Sequence, residues 1–419
     1  MKKIIICLML ICFNLFGYYS SETMIDMLVH SNQLRIRTDR FGALFGNRNI
    51  RAVVGLTGSQ NAAGIILQDL SSSQNLADNK SAINQLIPSV LGAIGYDSDI
   101  FGIALGYEFT WRSPTYMVHT PILHMTALDD NFRINIPVSV GVGQQSKFNK
   151  KENLYGTLVV STGIEARYYF NQPYFSHIRL FFNYGNSTIK DVSKTDSSFT
   201  QQSVGFQARA YFRYEFDYGM VLEPILRVQF DAALKTKYVN VNNNDVKSIL
   251  DSYSVTAKGF STSKTFKTAG NESSAGANAD STTADLSGGY IGGVPNEYYA
   301  EEPYRLGIAF PLGMRVTSEN GMIEFYLEPA LSFTIVNAKN IYDASTITSS
   351  GSLNTATKVK SPFYTFGYVV YGELYIRPIP QLEWYFELQT GGATVAGNLA
   401  SASSTSLVFN GATGITWYF

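Results

Sequence analysis

Four histidines (His30, His119, His124, His177) and two cysteines (Cys7, Cys12) are the side chains here best suited to metal ligation or general base work near neutral pH. Their spacing argues against either role. His119 and His124 are five apart, so an extended strand sends them to opposite faces. His177 follows a short turn and His30 precedes the first strand candidate, positions where a lone histidine acts as an interfacial hydrogen-bonder. Asp129–Asp130–Asn131 reads as an Asx turn. Asn242–Asn243–Asn244–Asp245 lacks the Gly and the bidentate Glu of a calcium loop. Gly288–Gly289 and Gly292–Gly293 are followed by no Lys-Ser/Thr pair, so they make no phosphate loop. No constellation of His, Ser, Asp or Glu reaches that of a hydrolytic site. The expectation is a protein that is not an enzyme and takes no cofactor or metal.

The remaining charges are patterned. Glu165, Arg167, Arg209, Arg213, Glu215, Glu223, Arg227, Asp231, Arg305, Arg315, Glu324, Glu328, Glu373, Arg377, Glu383 and Glu387 all fall on the polar side of segments whose other side is apolar. Turned into a closed wall they would form a hydrogen-bonded ladder that stiffens the lumen, or the mixed-sign lining of a water-filled pore. Wide barrels are open and narrow ones are filled, so strand number bears on the choice.

The elements that must carry these charges are strands. In Gly205–Phe216, Phe206, Ala208, Ala210, Phe212, Tyr214 and Phe216 alternate with Gln207, Arg209, Arg213 and Glu215. Successive side chains point to opposite faces, so one face is apolar and the other polar. The same pattern holds in Phe132–Val142, Leu158–Phe170, Ile178–Tyr184, Leu222–Leu234, Tyr304–Val316, Ile323–Ile335, Tyr364–Ile376 and Leu382–Leu388. Many segments run about 10–15 residues, nearer to the ~9–11 of a membrane strand than to the ~5–6 of a soluble one. Aromatics recur near their ends, as interfacial girdles require. Short connections (Leu128–Asn131, Asn171–Phe175, Asp217–Gly219, Thr317–Asn320, Pro378–Gln381) alternate with long ones (Gln144–Glu152, Asn186–Thr200, Lys235–Glu302, Asn337–Lys360, Gly397–Ser404). That sorting describes an outer-membrane barrel with turns in the periplasm and loops at the surface.

Both chain ends agree. Lys2 and Lys3 precede the apolar run Ile4–Phe16, too short for a spanning helix, which reads as a signal peptide over 1–17 with cleavage as late as 21. Cleavage there would remove both cysteines. Leu407, Phe409, Ile415, Trp417 and Phe419 share one face of the last strand, and Phe409, Ile415, Trp417 and Phe419 are the candidate barrel-assembly signal.

Composition sets the outer limits. Charged residues make up 16% of 419 against roughly 25% in ordinary domains, while Tyr and Phe number 27 each. A net charge of −1 offers no basic field for nucleic acid. Mean hydropathy of −0.02 excludes a bundle of membrane helices. The expectation is an all-β, transmembrane antiparallel barrel of about 14 strands, with 12 or 16 as alternatives. Residues 18–48 form an N-terminal segment (periplasmic, lumenal or first strand), and 49–419 the barrel. Gln33–Phe45 is ambiguous, because Asp39–Arg40 interrupts its alternation, and Tyr116–Thr126 is mixed on both faces. The Ser/Thr/Asn/Gly-rich loop 235–302 has too little apolar content for a core and is expected at the surface.

The stretches Met24–Gly46, Ala93–Phe109, Glu302–Met314, Leu374–Glu387 and Gly411–Phe419 resemble the variable surface protein family of intestinal spirochaetes. The resemblance spans the chain beyond the leader. It implies an abundant, antigenically variable outer-membrane protein with no catalytic residues. The expected partners are outer-membrane lipid, the barrel-assembly machinery and host antibodies, and not nucleic acid. A general porin is the alternative function.

Overall fold

The computed structural model describes residues 20–38, 40–47, 49–58, 87–98, 100–145, 155–170, 172–191, 197–216, 219–239, 245–246, 255–259, 298–343, 357–359, 362–397 and 406–419. Residues 1–19, where a signal peptide is expected, and most of 240–297 lie outside them.

Sixteen antiparallel strands form one closed wall. They are β1 (Gln33–Arg37), β2 (Arg40–Gly46), β3 (Ile50–Thr57), β4 (Ser89–Asp97), β5 (Phe101–Ser113), β6 (Tyr116–Ala127), β7 (Phe132–Gly143) and β8 (Leu158–Tyr169). The wall continues with β9 (Phe175–Asp191), β10 (Ser197–Phe212), β11 (Met220–Val239), β12 (Tyr304–Thr317), β13 (Ile323–Asn337), β14 (Phe363–Ile379), β15 (Leu382–Gly397) and β16 (Ser406–Tyr418). Each strand pairs with its sequence neighbour, and β1 closes on β16 with Gln33 opposite Tyr418 and Arg37 opposite Gly414. These five residue pairs join the first strand to the last, the closure that a sheet facing lipid requires.

The count is sixteen, not fourteen. Gln33–Phe45 is two strands joined at Thr38–Asp39, with Leu34 paired to Ala43 and Ile36 to Phe41. The wall therefore begins at Gln33, not Asn49. Asn186–Thr200 is also not a long loop. β9 and β10 continue their ladder until Ser197 pairs Asp191. Within Asn337–Lys360, Asn340–Asp343 pairs with Tyr298–Glu301 and with Lys358–Val359, a small sheet beyond the wall. In the turn Leu128–Asn131, Leu128, Asp129 and Asp130 all have φ between +53° and +63°. Asn131 donates its backbone N–H and its side-chain amide to the Leu128 carbonyl, at 3.1 and 2.9 Å. The turn is thus left-handed throughout and not a simple Asx turn.

Burial shows which face is outside. Leu331 (69% exposed), Leu105, Ile94, Phe310, Phe206 and Leu388 stand exposed, while Glu324, Glu328, Glu383, Arg227 and Asp231 are buried. An exposed apolar wall around a polar interior inverts a soluble protein and suits hydrocarbon. Aromatic pairs stud the outside near strand ends. Tyr168 meets Phe170 edge-on at 4.8 Å, Phe170 stacks on Phe175 at 4.6 Å, and Trp384 contacts Phe386 at 4.8 Å.

Candidate functional site: the barrel lumen

Inside the wall lies residue 20–31, with a single 3₁₀ turn at Thr23–Asp26. Its side chains Met24, Ile25, Met27 and Leu28 are wholly buried. They rest on a bed formed by the inner faces of β2 to β6, namely Leu44, Val53, Leu91, Ala104 and Ile122. The bed is hollowed by small residues. A Cβ on Gly95 would stand 2.7 Å from Leu28, and one on Gly106 would stand 2.6 Å from the Met24 sulfur. This explains the mixed faces of Tyr116–Thr126. Its inner row includes Val118, Ile122 and His124 because that row meets protein, not water.

Asp26 anchors the segment electrostatically. Arg133 Nη1 lies 2.9 Å from one carboxylate oxygen and Arg167 Nη1 3.0 Å from the other. Burial pushes the Asp26 carboxyl up, but Arg167, His30, Arg133 and Arg179 outweigh it and hold the group below the usual carboxylate range.

A second piece of chain enters from the long connection after β11. Val255 donates its N–H to Ser203 Oγ (2.7 Å), and Ala257 donates to Ser161 Oγ (2.9 Å). Tyr116 donates its hydroxyl to the Ala257 carbonyl at 3.0 Å. Val255 and Ala257 join Tyr116, Val118 and Val159 in a buried apolar cluster. Lys258 then pairs with Glu108 at 2.6 Å, and Glu108, whose side chain is 2% exposed, also accepts the Ser21 backbone N–H. The two inserts thus meet at one carboxylate. Part of loop 235–302 is therefore lumenal, against the expectation that the whole loop lies at the surface, and its wall strand runs on to Val239.

The expected inner charges occupy the other half of the wall. Arg305 pairs with Asp231 at 2.7 Å. Arg377 bridges Glu324 (2.9 Å) and Glu383 (2.8 Å), and Arg315 contacts Glu324 and Glu223. Glu328 accepts from Tyr326, and Glu373 accepts from Tyr371 and Tyr375. Glu387 pairs with Arg37 at 2.6 Å. Arg167 pairs with Glu165, Arg209 donates to Gln207, and Arg227 donates to Gln229. Arg213 and Glu215 pair at the rim, where both are largely exposed. Asp26, Glu108, Lys258, Arg133, Arg179 and the tyrosines are additions. Arg133 and Arg179 were legible from their strands' alternation, whereas the others lie off the wall or gain a role only from it.

The histidines are not brought together as a catalytic group. His119 is outside, against Tyr107 and Phe109. His124 is buried and donates to the Ile134 carbonyl, and His177 stacks between Tyr169 and Tyr211. Of the assembly-signal residues, Ile415, Trp417 and Phe419 are exposed on the apolar face. The side chain of Phe409 lies outside the described residues, though its backbone pairs with Thr390.

A family model described as Serpulina hyodysenteriae variable surface protein matches residues 1–418. The chain belongs to this family. Two stretches that carry its sequence resemblance, 24–46 and 93–109, are the lumenal segment with β1–β2 and the bed beneath it. No curated protein matches. Among solved structures, a bacterial polysaccharide outer membrane secretin is 8% identical (TM-score 0.41; 92% of this chain, 91% of that one). The monoaromatic hydrocarbon channel CymD is 7% identical (TM-score 0.35; 97% and 94%). OmpT, an outer membrane protein of Vibrio cholerae, is 9% identical (TM-score 0.31; 80% and 89%). The wall, its apolar belt and the two lumenal inserts are the features that bear on function.

Proposed function

We propose that the chain is a surface-displayed barrel of the outer membrane whose wall holds variable polar loops toward the host, with the lumen kept shut. The observation that carries this reading is the double insertion of 20–31 and 255–259, joined at Glu108. A barrel built to pass solutes gains nothing from two independent blocks, whereas a display platform gains rigidity from a filled interior. Family membership supports the surface location, and the segregation of short turns from long connections supports the orientation. Host antibodies are the partners expected of such loops, and the barrel-assembly machinery is the expected reader of Ile415, Trp417 and Phe419.

Protease shaving of intact cells tests the orientation. Cuts within 260–297 without lysis are expected, and cuts only after lysis would reverse it. Planar-bilayer recording of the refolded protein tests the closed lumen. Silence is expected, and steady discrete conductance steps from the intact chain would favour a general porin.

A further inference from the structure

Five arginines stand directly opposite one another across five consecutive strands. Arg133 of β7 pairs in register with Arg167 of β8, Arg167 with Arg179 of β9, Arg179 with Arg209 of β10, and Arg209 with Arg227 of β11. Directly paired residues share a face, so all five line the lumen, and the row lies toward the short-turn end. Like charges placed opposite one another destabilise a sheet, so an unbroken run of four such pairs needs a counter-charge. Of the first four arginines, Arg133 and Arg167 are the ones in contact with carboxylates among the described residues. Asp26 bridges Arg133 and Arg167, and Glu165 pairs with Arg167. Farther along, Asp231 is paired with Arg305 and is linked to Arg227 through Gln229. The hydrogen-bond partners of the central two are neutral. Arg179 donates to His177 Nε2 at 3.1 Å and lies over Tyr211, and Arg209 donates to Gln207 and lies over Phe181. Both are only partly buried.

We infer that this row is an anion-binding strip for a phosphate group, with Asp26 as a tethered competitor at one end. Opposed residues on neighbouring strands stand about 5 Å apart, so one tetrahedral phosphate spans two adjacent guanidinium groups. Arginine suits this better than lysine because its planar fork matches phosphate oxygens. A carboxylate has two oxygens and is already used where the segment docks. The central pair, Arg179 and Arg209, is the seat of the phosphate. The inference stands apart from surface display, since a shut barrel and an open one both keep the row.

Titration calorimetry of the detergent-refolded full-length barrel, at constant ionic strength, tests it with inorganic phosphate, glycerol 1-phosphate and acetate. Saturable phosphate binding is expected, with acetate failing to compete. Glycerol 1-phosphate separates the free ion from an ester as the better ligand. Asp26→Asn is expected to tighten phosphate about tenfold, the worth of one charge-assisted contact. Arg179→Gln with Arg209→Gln is expected to abolish binding, and Arg209→Lys to retain a weakened form, which shows that loss does not come from misfolding. Absence of saturable phosphate binding in both the parent and Asp26→Asn would overturn the inference, as would undiminished binding in the double glutamine variant.

Discussion

The junction of the two inserts makes a prediction with an asymmetry built in. Glu108 is fully enclosed, with its side chain 2% exposed, whereas the Lys258 side chain is 26% exposed. Lys258→Met strips the buried carboxylate of its cation and leaves it the Ser21 N–H and a long hydrogen bond from the Thr110 hydroxyl. Removing one partner of a buried pair costs about 3–5 kcal/mol, because the survivor stays charged in a poor solvent. Glu108→Gln leaves a lysine that can turn toward water and a side chain that still accepts hydrogen bonds, so the cost is nearer ~1–2 kcal/mol. The fraction of molecules with 255–259 undocked should rise roughly 150-fold or more in the lysine variant and about 5- to 30-fold in the glutamine variant. Limited proteolysis with proteinase K reads this population when reclosing outpaces cutting. Cleavage at 255–259, located by mass spectrometry, should rank Lys258→Met over Glu108→Gln over the parent, with the double variant below Lys258→Met. Equal cutting of the lysine variant and the parent, or faster cutting of the glutamine variant, would refute the assignment of Glu108 as the shared anchor.

Gly185→Ala places a Cβ 1.9 Å from the Val255 carbonyl oxygen, a backbone atom that cannot turn aside, so 255–259 should be expelled without any change of charge and cleaved faster. Leu331→Arg, at the most exposed leucine of β13, should destabilise the barrel in lipid vesicles by about 2–4 kcal/mol, read as a lowered urea midpoint of unfolding. The Asp26 carboxyl is held low, so its contribution to docking is complete above the ordinary carboxylate pKa and is lost as pH falls through its lowered one. Bilayer recordings should therefore stay silent from about pH 8 to 5, and openings that depend on Asp26 should begin only below about pH 4.

How much of this lay in the sequence depends on the range of each contact. Alternation in Gly205–Phe216 or Ile323–Ile335 is local, and it marked which side of each strand faces lipid. In the doubtful stretch Gln33–Phe45, the first arm Gln33–Arg37 alternates as a wall strand should. Arg35 and Arg37 face inward, one over Tyr385 and one onto Glu387. Asp39–Arg40 interrupts the run because the chain reverses there, and a two-strand hairpin of such short arms looks like one broken strand. Register was out of reach, so Arg167, Arg209 and Arg227 were found singly and their alignment was not. Residues 255–259 (Val-Thr-Ala-Lys-Gly) do not stand out in composition from the rest of their connection. Their partners Ser203, Ser161 and Glu108 lie 52, 96 and 150 residues away, and no local pattern reports such pairings.

Strand number and lumen contents are linked. In an eight-strand barrel the inward side chains meet across the axis and fill it, but at sixteen strands the bore is wide enough to hold an aqueous channel. A sixteen-strand barrel that is to be rigid must therefore import chain. This one imports it onto the wall sector whose inner face is least polar, β2 to β6, where Gly95 and Gly106 leave room for Leu28 and Met24. The opposite sectors bind their charges to one another, as Arg377 does with Glu324 and Glu383. Asp26 and Glu108 fasten the imported pieces, and the described contacts that do so draw on residues outside 260–297. The display role proposed above calls for such a separation between variable loops and the contacts that hold the wall.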